Sequence, residues 1–237
     1  MVDVRNGDLL AMASSPAFDL NEFTPSISAE QWRALLQDPE KPLLNRATAG
    51  GYAPGSVFKP VVAMAALVNG RASADTAFYC PGSFRLGRAT FDCFRRHSHG
   101  RQDLRGAIQH SCNVYFYRLG LQTGHDAIAH MARAVGFGRR TGMPIDYEVA
   151  GLVPDDGWKR RTIGEGWRAG DTCNMAIGQG ALTVTPLQVA MMAATIANGG
   201  RLFRPRLVIG TRAPGETRFR LRPPEITNRL HWDPDDL

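Results

Sequence analysis

A serine and a lysine three residues apart, Ser56 and Lys59, are the pair in this chain best suited to covalent chemistry. Pro54 and Gly55 interrupt any structure before them, and the apolar helix formers Val61 to Val68 follow, so we expect a helix that begins at or beside Ser56. Residues three apart share one face of a helix, which brings the hydroxyl within reach of the amine. A lysine whose pKa is lowered in a dry site can take the serine proton and make the oxygen a nucleophile. An ordinary helix start with a capping serine has the same spacing, so the pair alone leaves both interpretations open.

A second hydroxyl and an amide follow in Ser111-Cys112-Asn113, between a predicted helix at 103–110 and an aromatic-rich one at 113–121. A hydroxyl can relay a proton, and an amide can hold a substrate carbonyl or amide group in register. We therefore expect the side chains of Ser111 and Asn113 to join the serine–lysine pair in one site.

These two elements resemble the first two motifs of the penicillin-recognising serine acyltransferases, Ser-x-x-Lys and Ser-x-Asn, which a Lys-Thr/Ser-Gly motif completes. Longer stretches of the chain are similar to one group in that superfamily, the elongation-type, class B penicillin-binding protein 2. The likeness spans residue 2 to about 208 and is carried by five segments: Val2–Ser14, Gly51–Lys59, Ser111–Tyr117, Ile177–Gly180 and Leu182–Pro186. On these segments the chain is identified as a member of that group.

The resemblance implies a mixed fold, α/β in the broad sense and α+β in detail, with helices packed on a five-stranded antiparallel sheet. It also implies a peptidoglycan D,D-transpeptidase, whose ligands are the stem peptide and β-lactams and whose acyl transfer requires no cofactor. In the implied mechanism Lys59 deprotonates Ser56, which attacks the carbonyl between two D-alanines. Ser111 would shuttle a proton, and Asn113 would orient the peptide.

The third motif has no counterpart where the resemblance places it. Arg140-Thr141-Gly142 is the nearest match, and the resemblance assigns that loop no catalytic role. We therefore expect residues 1–237 to be a partial transpeptidase domain that lacks the later sheet strands, the membrane anchor and the pedestal domain, with impaired transpeptidation. An inactive truncated product or a partner-binding fragment is the main alternative, and a β-lactamase ranks below it.

Three of the four cysteines lie between residues 80 and 112 and are accompanied by two closely spaced histidines; the five residues are Cys80, Cys93, His97, His99 and Cys112. Three thiolates and one imidazole make a tetrahedral zinc set, although the spacing is not that of a common zinc finger. A disulfide, natural in an oxidising periplasm, and simple burial of small apolar thiols are the alternatives.

The resemblance favours zinc, since some members of the group bind it beside the active site with ligands at similar places. The matching positions are Cys80, Cys93, His99 and Cys112, with His97 and Asp92 as nearby substitutes. A structural zinc ion held there would fix the loop from Ser111 to Asn113.

The formal net charge of +6 invites a nucleic-acid interpretation. The arginines are spread along the chain with no RNA- or DNA-binding motif, so we expect no nucleic-acid partner and a basic surface that faces anionic envelope polymers or lipid head groups. The resemblance implies a periplasmic domain on the inner membrane, with a glycan polymerase and elongation-complex proteins as partners. The chain itself shows no signal peptide and no anchor, because its longest apolar run, Val61 to Val68, is far short of the ~20 residues that span a bilayer.

The elements that must position these residues can be read coarsely from pattern. Asn6-Gly7 predicts a hairpin between 2–5 and 8–13, and a Ser-Ala-Glu-Gln capping pattern predicts a helix from Ser28 to Gln37. Besides those beside Ser56 and Ser111, we expect helices at 124–135 and 186–198. Residues 78–101 should be irregular, and residues 136–172 should be rich in loops.

Overall fold

The computed structural model describes residues 1–231, except for the side chain of Arg95; the last six residues of the predicted 1–237 domain lie outside this range. The helices follow one another as α1 Ala29–Gln37, α2 Lys59–Val68, α3 Leu104–Gln109, α4 Asn113–Thr123, α5 His125–Ala134, α6 Asp156–Ile163, α7 Ala169–Ala176 and α8 Pro186–Ala197. Short 3-10 turns occur at Leu20–Phe23, Gly55–Phe58 and Phe94–Arg96. The predicted helices are all present, and α1 begins with the expected capping box between Ser28 and Gln31.

The strands are short: β1 Phe78–Cys80, β2 Ser83–Leu86, β3 Ala89–Asp92, β4 Gly100–Gln102, β5 Arg201–Phe203, β6 Gly210–Thr211, β7 Arg220–Leu221 and β8 Ile226–Arg229. Over residues 1–231 they form four two-stranded antiparallel sheets, which pair β1 with β4, β2 with β3, β5 with β8 and β6 with β7. The mixed helix-and-sheet class is confirmed, while the larger antiparallel sheet is not assembled by these residues.

The predicted hairpin at the start of the chain is present as a short turn. Gly7 turns the backbone with a φ of +79°, and Val2 and Leu9 form a β-bridge across it. Backbone hydrogen bonds of 2.8 and 3.0 Å cross the turn on either side of this bridge, and the outward-facing Leu9 N–H donates to the carbonyl of Arg206 at 3.0 Å. The local turn signal was therefore correct, although the paired stretch is shorter than the two predicted strands.

The core is built around α2. Seven of its ten residues are buried, including Val61, Val62 and Lys59, as expected for a helix that is apolar on nearly every side. It packs against α4 and α5, and α4 packs in turn against α7. The α4–α7 contact is close because Gly120 has no side chain, and a Cβ there would lie 2.5 Å from that of Ala176.

The prediction of irregular structure at 78–101 is wrong, while the prediction of many loops at 136–172 is correct but missed the helices within that stretch. Residues 136–172 contain α6 and the start of α7; the Asp155 side chain caps α6 and Gly164 ends it with a φ of +82°. Residues 78–101 contain β1, β2, β3 and the beginning of β4. These strands have only three or four residues, too few to display the alternation by which a strand is recognised in sequence. Within residues 1–231, no helix has both the length and the apolar character that a bilayer crossing requires.

Candidate active site

Ser56 lies in the 3-10 turn Gly55–Phe58, which leads directly into α2. Pro54 caps the turn without a side-chain hydrogen bond, and Gly55 has a φ of +58°, a conformation that favours glycine. Phe58 is fully buried and anchors the turn in the core, whereas Ser56 is exposed. The helix start predicted beside the serine is thus present, and it presents the hydroxyl to solvent.

Lys59 is the first residue of α2 and is only 2% exposed. Its Nζ donates to the carbonyl and to Oγ of Ser111, at 2.7 and 2.9 Å, and to Oδ1 of Asn113 at 2.7 Å. The Phe116 ring lies 5.5 Å away and helps to exclude water. Burial lowers the pKa of Lys59 to about 8, against an opposing effect of the thiols of Cys93 and Cys112. With a pKa of about 8, roughly a tenth of this lysine is the neutral amine at pH 7, and the three donated hydrogen bonds belong to the ammonium form.

Ser111 connects the lysine to the serine. It has a φ of +52°, and its Oγ, which accepts from Lys59, donates to Oγ of Ser56 at 2.8 Å. The sequence predicted a direct contact between hydroxyl and amine on one helix face. The hydrogen bonds of the structure instead run from Lys59 through Ser111 to Ser56.

Asn113 is the first residue of α4, and a backbone carbonyl at the end of β3 supports it. Its Nδ2 donates to the Asp92 carbonyl at 3.5 Å, and the hydroxyl of Tyr117 donates to the same oxygen at 3.1 Å. Burial raises the pKa of Tyr117 to about 12, so this hydroxyl stays a neutral donor. Tyr117 was not predicted to be part of the site. Its position four residues after Asn113, on the same helix face, would have indicated that the two side chains lie close together.

A second cluster adjoins the first. Each of its members stands at the end of an element: Cys80 ends β1, Cys93 follows β3, His99 precedes β4 and Cys112 precedes α4. One donor atom of each lies within 4.8 Å of all the others. His99 Nδ1 is 3.7 Å from Sγ of Cys80 and 3.4 Å from that of Cys93, which is 4.0 Å from Sγ of Cys112.

These distances fit a tetrahedral metal site. Zinc bonds of about 2.3 Å to sulfur and about 2.0 Å to nitrogen place neighbouring donors roughly 3.5–3.8 Å apart. Burial, with the neighbouring His110, His97 and Lys59, lowers the pKa of His99, which keeps the imidazole neutral as a ligand must be. The donor set therefore suits zinc in both geometry and chemistry.

The substitutes and alternatives for this cluster are less well placed. His97 contributes its carbonyl rather than its ring to Cys80, and the Asp92 carboxylate accepts a hydrogen bond from Arg96. All four cysteines of the chain are free and buried, and the 4.0 Å between Cys93 and Cys112 is about twice a disulfide bond length.

Arg140-Thr141-Gly142 lies elsewhere. The backbone N–H groups of Thr141 and Gly142 donate to the buried carboxylate of Glu148, at 2.7 and 3.2 Å. This loop borders a cavity of about 220 Å³ whose walls come from α8 and the β5–β8 sheet and include none of the residues around Ser56. The tripeptide is thus held as a structural turn.

The family described as penicillin binding protein transpeptidase domain matches residues 1–234. This chain belongs to that family. The transpeptidase domain is 40% identical over 212 residues to the peptidoglycan D,D-transpeptidase MrdA of Acinetobacter baumannii, a match that covers 89% of this chain and 32% of that protein. The chain therefore spans about a third of the length of its curated relatives.

Solved structures agree with the family assignment. The penicillin-binding protein PBP2 of Helicobacter pylori, determined in complex with MreC, has a TM-score of 0.85 and 38% identity, covering 90% of this chain and 40% of that one. Penicillin-binding protein A of Mycobacterium tuberculosis, determined as a ceftriaxone acyl-enzyme, has a TM-score of 0.83 and 31% identity, covering 96% and 51%. The predicted resemblance and the penicillin-binding fold are confirmed.

Proposed function

We propose that Ser56 is the nucleophile of a peptidoglycan D,D-transpeptidase and that Lys59, Ser111 and Asn113 complete its acyl-transfer site. The observation that carries this proposal is the continuous hydrogen-bonded path from buried Lys59 through Ser111 to exposed Ser56. A nucleophile next to a base that a third group orients is the usual arrangement of covalent catalysis. The activity of the related transpeptidases and the acyl-enzyme of penicillin-binding protein A support it.

In the acylation step Lys59 is neutral and both hydrogen bonds are reversed relative to the structure, so that Ser111 gives its hydroxyl proton to Lys59 while it takes the proton of Ser56. The Ser56 oxygen bonds to the carbonyl carbon between the two D-alanines of a stem peptide, and the Ser56 N–H donates to the oxyanion. The peptide C–N bond then breaks, and the terminal D-alanine leaves as an amine with the proton returned along the same path.

In the transfer step, an amine from a neighbouring stem peptide attacks the Ser56 ester. Its proton passes through Ser111 to Lys59 and back to the Ser56 oxygen as the ester C–O bond breaks, which forms the cross-link and restores the serine. Asn113, fixed by Lys59 and the Asp92 carbonyl, holds the peptide in register through its amide.

We also propose that Cys80, Cys93, His99 and Cys112 bind structural zinc. The fit of the donor distances and the neutral imidazole support this assignment. When bound, zinc supplies a cross-link between β1, β3, β4 and the turn before α4 and takes no part in acyl transfer. Cys112 stands between Ser111 and Asn113, so fixing its thiol fixes both side chains against Lys59.

The relatives support a proposal for the place of action and the partners. We propose that the domain works in the periplasm on the inner membrane, alongside a glycan polymerase and proteins of the elongation complex. The complex of the Helicobacter pylori relative with MreC supports such partners, and the ceftriaxone acyl-enzyme supports β-lactams as ligands.

The test is the intact mass of the chain after incubation with benzylpenicillin, with folding checked by circular dichroism. We expect a single adduct that disappears in Ser56→Ala and persists in Ser73→Ala, which alters an exposed serine outside the site. A folded chain with no adduct, or an adduct that survives Ser56→Ala, contradicts the proposal. Sustained turnover of a chromogenic cephalosporin would indicate a β-lactamase instead.

A further inference from the structure

We infer that Gly178 is a positioning residue, which sets the backbone of the turn that carries Ser56 through a direct contact with Gly55. The inference rests on the proposed function, since it assigns the contact a role in acylation. Gly178 belongs to the Gly178-Gln179-Gly180 turn that follows α7, and it lies more than a hundred residues from the serine in sequence.

The contact joins two backbones with no side chain between them. The Gly55 N–H donates to the Gly178 carbonyl at 2.8 Å. Gly178 itself has a φ of +71°, and a Cβ at this position would overlap the Gly55 carbonyl oxygen and lie 2.7 Å from its nitrogen. Backbone atoms cannot move aside as the end of a flexible side chain can, so any larger residue must displace the Ser56 turn.

The contact adds a backbone support to a turn that the buried Phe58 ring anchors at its other end. The serine side chain is exposed, and Pro54 offers the turn no capping side chain. Just upstream, Tyr52 exchanges two backbone hydrogen bonds with Val184, each of 2.9 Å. Residues 52–55 thus lie against residues 178–184 and take their position from them.

The same segment is tied to the other half of the site. Gly178 closes the C-terminal end of α7, where its N–H donates to the Met175 carbonyl at 2.9 Å. Ala176, two residues before Gly178, packs onto Gly120 of α4. Helix α4 begins with Asn113. α7 is therefore the common support that holds Ser56, on one side, and Asn113, on the other, in fixed relation.

Gly180 offers a matched control two residues away. Its φ of +75° is nearly that of Gly178, so alanine meets the same backbone strain at both positions. A Cβ at Gly180, however, meets only the side chain of Asn174, at an ordinary 3.4 Å. The two variants differ in the contact with Gly55 and share the conformational cost.

The test measures benzylpenicillin acylation in Gly178→Ala and Gly180→Ala. It determines separately the rate constant of acylation and the dissociation constant of the noncovalent benzylpenicillin complex that forms first. We expect Gly178→Ala to lower the rate constant about 10²-fold, the effect typical of a 1 Å misplacement, with the dissociation constant nearly unchanged. Gly180→Ala should keep the wild-type rate constant and lose only the thermal stability that the positive φ costs, whereas Gly178→Ala should lose more because of the overlap with Gly55. Equal rate constants in the two variants would overturn the inference.

A second measurement needs neither acylation nor a folded variant. In the wild-type chain, NMR should detect a scalar coupling across the hydrogen bond from the Gly55 nitrogen to the Gly178 carbonyl carbon, together with slow exchange of the Gly55 amide. Absence of both contradicts the inference even if benzylpenicillin labels Ser56. Their presence in a chain that benzylpenicillin does not label would support the contact and refute the proposed function.

Discussion

The hydroxyl of Ser111 lies 2.8 Å from the hydroxyl of Ser56. Ser111 itself adopts the left-handed backbone conformation, with a φ of +52°. Non-glycine residues seldom adopt this conformation, and those that do concentrate at functional sites. Here the unusual backbone conformation directs the Ser111 side chain between Lys59 and Ser56. The strained residue is therefore also the residue through which the proton passes.

Two substitutions at Ser111 distinguish the role of its hydroxyl from the energetic cost of its backbone conformation. Both Ser111→Ala and Ser111→Gly remove the proton relay and should lower the rate of benzylpenicillin acylation by about 10²- to 10⁴-fold. Glycine accepts the positive φ freely, so Ser111→Gly should be the more stable by roughly 1 kcal/mol in urea unfolding. Acylation near the wild-type rate in either variant would show that Lys59 acts without Ser111.

The lowered pKa of Lys59 leads to a prediction for the pH dependence of acylation. This pKa is lowered to about 8, chiefly by burial, and only the neutral amine accepts a proton. The rate should therefore rise with pH, level off above about 8 and be about a hundredfold slower at pH 6. Stopped-flow measurements between pH 5.5 and 9.5 check this; a rate that is flat below pH 8 would contradict a neutral lysine as the base.

Zinc binding is tested by a pair of buried cysteines. Cys112→Ser removes a ligand, and Cys173→Ser alters a thiol in α7 that is equally buried but outside the cluster. Metal analysis of protein purified without chelators should find one zinc per chain in the wild type and in Cys173→Ser, and a clear loss in Cys112→Ser. Folded wild-type protein without bound zinc would refute the site.

Replacement of Glu148 should lower the stability of the domain without slowing its acylation. Glu148 is 6% exposed and accepts the N–H groups of Thr141 and Gly142. Glu148→Ala leaves both donors without their partner and should lower the free energy of unfolding by about 1–3 kcal/mol. Glu165→Ala, at an exposed ion pair, should change it by less than about 0.5 kcal/mol. Benzylpenicillin acylation that is slowed in folded Glu148→Ala would show that the Arg140-Thr141-Gly142 loop is not merely structural.

The sequence predicted the helices and the identity of the clustered residues better than their connections. A long apolar run and a capping box are local signals, and they located α2 and α1 correctly. The placement of Ser111 between Lys59 and Ser56 depends on a backbone angle and on packing between distant helices, which spacing does not encode. The Gly55–Gly178 contact is equally long-range and involves residues without side chains.

The polar helix α6 was missed for a different reason. Half of its eight residues are charged, so it lacks the apolar period by which helices are recognised; the Asp155 cap and an ion pair of 2.6 Å between Lys159 and Asp171 support it. The residues of the candidate zinc cluster could be named from residue types and resemblance, but the convergence of four element ends on one point could not be predicted.

The complete burial of the Cys112 thiol makes it a reporter of motion. In zinc-free protein, an alkylating reagent should reach that sulfur only when the segment from Ser111 to Asn113 moves away from the core, so the alkylation rate would report those local openings. Cys173, buried in α7, is reached only when the helices themselves come apart. The ratio of the two rates distinguishes a brief local excursion of the loop from unfolding of the whole domain.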